Sequence, residues 1–300
     1  MSDTKNAGKN AGKKAEENAG KNQEMNDAGN SEKNVTRRAA LGRGVGAGFG
    51  LAAIGVTSAL ATAVSAPSAA AASRASAGGD GTPWTAELLP RTVAGISIPR
   101  SEVAQKAATF ARRASSETLF NHVMRTYLYG CVLFDRRGVR YDRELAFVAA
   151  VLHDLGLVEA YQSPAERFEV DGADAAQRFL QGQRVPADRV AVVWDAIALH
   201  TNTGIATRKR PEIAMVSIGS GLDFAGNDLP KIPSDTLEEI LAAFPRKGFK
   251  QEAVDTMLSL CRTKPMSVLM HPFAEVGRRH IPGFPVPTVE DLVLAAPFAE

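Results

Sequence analysis

The sequence predicts an all-α fold, a single bundle of about eight to ten helices, and three observations predict it. Beyond residue 100, apolar side chains recur at helical spacing, as in Leu119, Val123, Tyr127, Leu128 and Cys131. Residues that cap or open helices, such as Ser101, Ser115-Ser116 and Pro211, stand where those runs begin. No stretch alternates apolar and polar residues strictly enough to make a convincing strand.

The elements follow in order. Ser101 is the expected N-cap of a helix reaching Arg113, with Glu102 in the first turn, where the helix dipole favours a carboxylate. Ser115-Ser116 opens a second helix to about Phe134. Arg143 to Leu155 carries Leu145, Val148, Ala149 and Leu152 on one face, and Gly156 is a stop signal. Further helices are expected over Asp171 to Gln181, Pro186 to His200, Pro211 to Ala225 and Ser234 to Phe244. Residues 249–261 and 265–279 complete the set. The helical domain is placed at 100–280, preceded by a linker or N-terminal arm at 78–99 and followed by a Pro-rich tail at 281–300 that lies over the surface.

Charge is divided unevenly. Ten of the 35 Lys/Arg and six of the 33 Asp/Glu lie in the first 77 residues, which leaves 25 against 27 and a net charge of −2 for the remainder. A domain without a basic surface cannot displace counterions from phosphates, so no nucleic-acid partner is expected. Cys131 and Cys261 are too few for a disulfide framework or a four-thiolate zinc site. They allow one bridge or, the plainer reading, two buried thiols.

Residues 1–34 repeat Asn-Ala-Gly-Lys, have no apolar period and read as disordered. Thr36-Arg37-Arg38-Ala39-Ala40-Leu41 follows, then a weakly apolar segment from Val45 to Ala63 and the small-residue run Ala75-Ser76-Ala77. Paired arginines, a Gly/Ala-rich apolar region and a small-x-small cleavage site resemble a twin-arginine export signal spanning 1–77. The export signal residues are then Arg37 and Arg38, the export machinery is a partner, and the mature protein is periplasmic or extracellular. Five glycines between Gly44 and Gly55 argue against a permanent membrane span.

Of the five histidines, His122 and His153 fall within apolar helical patterns. A lone imidazole there is usually a hydrogen-bonded core residue. Here carboxylates accompany them: Asp154 directly after His153, and Asp223 within Gly219-Ser220-Gly221-Leu222-Asp223. Two imidazoles and two carboxylates suit Zn²⁺, Mn²⁺, Fe²⁺ or Co²⁺ and leave a position open for water.

The order H…HD…D, all on helices, resembles the HD-domain superfamily of metalloenzymes. The segments Asn121-His122-Val123-Met124-Arg125-Thr126-Tyr127, Leu152-His153-Asp154-Leu155-Gly156, Arg167-Phe168-Glu169-Val170-Asp171-Gly172-Ala173 and Trp194-Asp195-Ala196-Ile197-Ala198-Leu199-His200-Thr201 look like its cyanamide-hydratase-like branch. The resemblance covers roughly residues 90–280. It implies a single HD-domain bundle and one divalent transition metal, zinc first and iron or manganese as alternatives, held by His122, His153, Asp154 and Asp223. It further implies a metal-activated water acting on a small nitrile-like molecule such as cyanamide, with Asp154 handling the proton. His200, before the polar run Thr201-Asn202-Thr203, is a second catalytic candidate, and Asn121, Arg125, Glu169, Asp171 and Thr201 are candidates for the substrate pocket or for orienting the ligands. His271 and His280 are weaker candidates.

A phosphohydrolase is the main alternative. Such enzymes commonly carry a lysine after HD-x-G, where this chain has Leu157 and Val158, although Arg125 or Arg167 could stand in. A non-catalytic exported metal-binding protein is the second alternative.

Overall fold

The computed structural model describes residues 89–298. Arg37, Arg38, the rest of the leader and the first part of the arm therefore lie outside the described residues. Within them are eleven α-helices, four 3-10 turns and one hairpin of two-residue strands. The all-α expectation holds, with one helix more than the upper end foreseen. The short pieces Thr203–Ala206 and Val289–Leu294 have too few turns to show a period in sequence.

The helices are α1 (Glu102–Ala114), α2 (Glu117–Arg136), α3 (Arg143–Leu152), α4 (Phe168–Gly182), α5 (Ala187–Ala198) and α6 (Thr203–Ala206), then α7 (Pro211–Ala225), α8 (Ser234–Ala243), α9 (Phe249–Thr263), α10 (Phe273–His280) and α11 (Val289–Leu294). Their starts are chemically marked. Ser101 Oγ accepts from the Ala104 amide at 3.3 Å, Ser116 Oγ from Leu119 at 3.0 Å and Asp142 Oδ1 from Leu145 at 2.9 Å, each satisfying an orphan amide of a first turn. Pro211 opens α7, where its missing N–H costs nothing, and Gly226 (φ 79°) closes it in the left-handed conformation.

One strand pair was not foreseen. Thr92–Val93 pairs with Ile96–Ser97 around Ala94 and Gly95, both at positive φ. Two residues per strand are too few to display alternation. Tyr127 Oη donates to the Ser97 carbonyl at 3.0 Å and ties the hairpin to α2.

Helix α2 is the spine of the core, buried almost continuously from Thr118 to Phe134. Its main neighbour is α7. Gly219 makes that approach possible, because a Cβ there would stand 2.1 Å from the Thr126 carbonyl oxygen. The contact brings Asp223, one turn further along α7, beside His122 and Arg125. At the other end of the site, Gly156 lies in the 3-10 turn Leu155–Leu157, where a Cβ would meet the Phe168 carbonyl oxygen at 1.9 Å. That fit presses the end of α3 onto the start of α4.

Residues after α8 add a smaller core of their own, in which Cys261, Val268, Ala274 and Val286 gather between α9, α10 and the tail. Cys131 and Cys261 are both buried free thiols, so no bridge joins them. After α10 the chain bears the short exposed α11. No helix among the described residues is long and apolar enough to cross a membrane.

Candidate functional site

The site is built where the middle of α2, the end of α3 and the end of α5 meet. His153 is the first residue past α3, where the last carbonyls of the helix have no i+4 amide and are open to a side-chain donor. Its Nδ1 donates to the Ala150 carbonyl at 2.8 Å, which leaves Nε2 with its lone pair; that buried nitrogen has no hydrogen-bond partner. His200 repeats the arrangement at the end of α5, with Nδ1 donating to Ile197 at 2.7 Å. His122, in α2, donates from Nδ1 to Asp223 Oδ2 at 2.7 Å. The three partners thus fix the tautomers and turn all three Nε2 atoms the same way.

They converge on Asp154. Its Oδ2 lies 3.4 Å from His122 Nε2 and 3.3 Å from His153 Nε2, and its Oδ1 lies 3.7 Å from His200 Nε2. The donor atoms of His122, His153 and Asp154 all fall within 4.8 Å of one another. Two ligands of a tetrahedral ion bound at about 2.0–2.2 Å stand roughly 3.3–3.5 Å apart, so the separations of His122 Nε2 and His153 Nε2 from Asp154 Oδ2 match a shared cation. An orphaned imidazole nitrogen in a dry interior is costly unless something occupies its lone pair. The donor set therefore fits a borderline divalent metal.

Electrostatics favours the ligating forms. Burial, aided by the neighbouring His122, pushes His153 down to about 3. Burial and the adjacent His153 push His200 down to about 4, so both rings keep a lone pair free at neutral pH. Burial raises Asp154 above the usual carboxylate range, against the pull of His122 and His200. A cation there would return it to the ionised form.

Asp223 stands elsewhere than expected. One oxygen accepts hydrogen bonds from His122 Nδ1 at 2.7 Å and Arg125 Nη2 at 2.8 Å, while the other accepts from Arg125 Nε at 2.8 Å and Arg246 Nη1 at 2.9 Å. Its lone pairs are thus occupied by one imidazole and two guanidiniums, and it lies behind His122 as an orienting partner rather than among the converging donors. Burial alone would raise its pKa, but the bonds from His122 and Arg125 outweigh it and hold the carboxyl well below its ordinary range.

Arg125 is fully buried in that bidentate pair and also donates to the Phe244 and Pro245 carbonyls at 3.0 and 3.1 Å, so it cannot reach a substrate. Asn121 donates to Pro245 at 3.0 Å and likewise holds the chain after α8 against α2. Asp171 joins a different group: its Oδ2 pairs with the buried Lys264 Nζ at 2.5 Å, fastening the end of α9 to α4. His280 is exposed at the end of α10, away from the cluster.

Glu169 is the centre of a second buried network. Its Oε1 accepts from Thr201 Oγ1 at 2.6 Å, Arg167 Nη2 at 2.7 Å and His271 Nε2 at 3.0 Å. Burial would raise it, but the bonds from His271 and Arg167 prevail and keep it a carboxylate. An ionised Glu169 can only accept, so Thr201 must donate to it and presents its oxygen lone pairs outward. His271, given little weight on sequence, is fixed from both sides, because its Nδ1 accepts the Phe273 amide at 3.1 Å.

A cavity of about 230 Å³ opens onto this centre. His122, Asp154 and His200 form its floor, Thr201, Thr203, Ser217 and Ser220 one side, and Leu119, Leu157, Phe168, Phe224, Phe249, Met257 and Phe273 much of the rest. The lining holds the carboxylates of Asp154 and Glu252 but no lysine or arginine. Sequence reading missed the contributions of Phe249, Glu252, Met257 and Phe273. They lie on α9 and at the start of α10, about 100 residues beyond the HD dipeptide, and their ordinary amphipathic spacing gives no sign of what they face.

Comparison with known proteins agrees with the geometry. Residues 119–243 match the family model of the HD domain. The chain is 26% identical over 164 residues to cyanamide hydratase DDI2 of Saccharomyces cerevisiae, a match spanning 52% of this chain and 72% of that protein. Cyanamide hydratase DDI3 of the same yeast matches to the same extent. HD domains bind divalent metals, and the His122–His153–Asp154 cluster lies inside the segment that matches the HD domain, as a metal-dependent hydrolase in the general sense would require.

Proposed function

We propose that this protein is a metal-dependent hydratase that adds water across a small nitrile-like group, with cyanamide the simplest substrate of the class. The observation that carries the reading is the cavity: its floor is imidazole nitrogen and carboxylate, and its wall is mostly apolar and free of cations. A divalent ion held by His122, His153 and Asp154 would lower the pKa of a water toward about 7 and so supply a nucleophile at neutral pH. The remaining work falls to side chains. Asp154, on the cavity floor, is placed to take the proton released by that water and return it to the substrate nitrogen. His200 Nε2, 3.7 Å from Asp154 Oδ1, is the group able to relay it. Water adds as OH to carbon and H to nitrogen, so cyanamide becomes urea.

A phosphoester substrate fits less well. Phosphate recognition calls for a cation in the wall. Arg125 is committed to Asp223, and Arg167 is bound to Glu169. The test is elemental analysis of the purified protein joined to a urea-formation assay on cyanamide. About one equivalent of zinc, iron or manganese with urea formed supports the hydratase. Metal without urea, but with phosphoester cleavage, replaces it with the phosphohydrolase.

We also infer from Arg37-Arg38 and the segment after them that the protein leaves the cytoplasm by a twin-arginine route. Such a route suits an enzyme that acquires its metal before export.

A further inference from the structure

We propose that the physiological substrate is an uncharged molecule carrying an apolar body of about aryl size next to its reacting group, and that Ala253 on α9 sets this size limit. The inference rests on the hydratase reading for the reacting group and on the cavity for the rest.

Volume is the first argument. An apolar cavity of about 150 Å³ is enough to hold a benzene molecule. The cavity here measures about 230 Å³. Cyanamide, with three heavy atoms, would leave most of it to water against apolar walls. Those walls are the second argument. Leu119, Phe168, Phe224, Phe249, Met257 and Phe273 line the space above the His and Asp floor, and burying a matching apolar group against them favours binding in proportion to the area removed from water. Charge is the third. Asp154 and Glu252 line the cavity and no lysine or arginine does, so an anionic substituent would face like charge with no cationic side chain in the lining to pair with.

The size-setting wall lies outside the segment that matches the HD domain. Phe249, Ala253, Thr256 and Met257 all belong to α9, beyond the matched residues 119–243. Ala253 follows Phe249 by one helical turn and faces the cavity, so a larger side chain there occupies the space meant for the substrate body.

The experiment compares cyanamide, benzylcyanamide and 4-carboxybenzylcyanamide as substrates of the metal-loaded protein and of its Ala253→Phe and Ala253→Leu variants. Binding of benzylurea, the uncharged product of benzylcyanamide hydration, is followed by calorimetry alongside. The wild-type protein should turn over benzylcyanamide with a kcat/KM at least about tenfold above that for cyanamide, and the carboxylated analogue at least about tenfold below benzylcyanamide. Ala253→Phe should lower the ratio of kcat/KM for benzylcyanamide to that for cyanamide about tenfold or more, with Ala253→Leu between the two. A preference for cyanamide, or equal losses on both substrates in the variants, overturns the proposal. Should no nitrile be hydrated by any form, the hydratase reading fails, and the benzylurea titration still decides. Binding that weakens about tenfold in Ala253→Phe supports the cavity argument, and binding that is absent or unchanged overturns it. Unaltered circular dichroism in both variants keeps a folding defect from posing as either result.

Discussion

At the residue scale the site depends on which atoms are already spoken for. His153 Nδ1 is consumed by Ala150, and its Nε2 is left buried with no partner, which is the state of a ligand rather than of a core histidine. Replacing His153 or Asp154 by Ala should therefore abolish metal binding while leaving helical content nearly unchanged, since both residues lie just past the end of α3. Metal analysis with far-ultraviolet circular dichroism checks this, and stoichiometric metal retained in both variants would refute it. Asp223 acts one step removed, through His122. Asp223→Asn keeps the shape but weakens the hold on the imidazole, and metal affinity should fall about 10–100-fold, as is usual for a partner behind a ligand. Competition with a chelator measures that shift.

At the element scale two glycines let helices approach closely enough to form the centre. Gly219→Ala gains about 1 kcal/mol of helix propensity but drives a Cβ to 2.1 Å from the Thr126 carbonyl, a backbone atom that cannot rotate away. The expected net cost is about 2–4 kcal/mol, read as a lower urea midpoint. Because the same approach brings Asp223 to His122, the variant should bind metal more weakly as well. A stable variant with full metal affinity would show that α7 can move without disturbing the site. The network around Glu169 works at this scale too, joining the start of α4 to the end of α5 through Thr201 and to the chain before α10 through His271. It holds together two parts of the cavity wall that the sequence separates by about 70 residues.

At the scale of the whole molecule, burial of the histidines makes the metal-free protein sensitive to acid. His153 and His200 titrate near 3 and near 4 when folded, against about 6.5 in the unfolded chain. Between those limits the unfolded state binds more protons than the native one, so stability is full above about pH 6.5 and falls as the pH drops toward 4. At pH 5 each histidine accounts for a loss of roughly 1–2 kcal/mol, which calorimetry of chelator-treated protein at pH 7.5, 6 and 5 would register as a melting temperature lowered by several degrees. A flat profile would mean that the rings are reached by water. On the same scale stands the proposed export: changing Arg37-Arg38 to Lys-Lys should leave the protein inside the cell, tested by fractionation, and normal export would point to another route.

Much of the scaffold is local chemistry and was legible in the residues. Ser101 and Ser116 cap helices that begin where the sequence places them, and Pro211 to Ala225 is helical end to end. The donors His122, His153 and Asp154 could be named because the order H…HD…D resembles the HD-domain superfamily, and no helical period links residues that lie some 30 positions apart. Helical periods and capping act over three or four residues, and that is as far as such reasoning reaches. Only the tertiary structure decided that two guanidiniums and an imidazole claim Asp223, that His200 closes on Asp154 from a third helix, and that α9 supplies a cavity wall. Those outcomes depend on how closely helices pack across some 70–100 residues of chain, and close packing is decided by glycines whose neighbours no periodicity records.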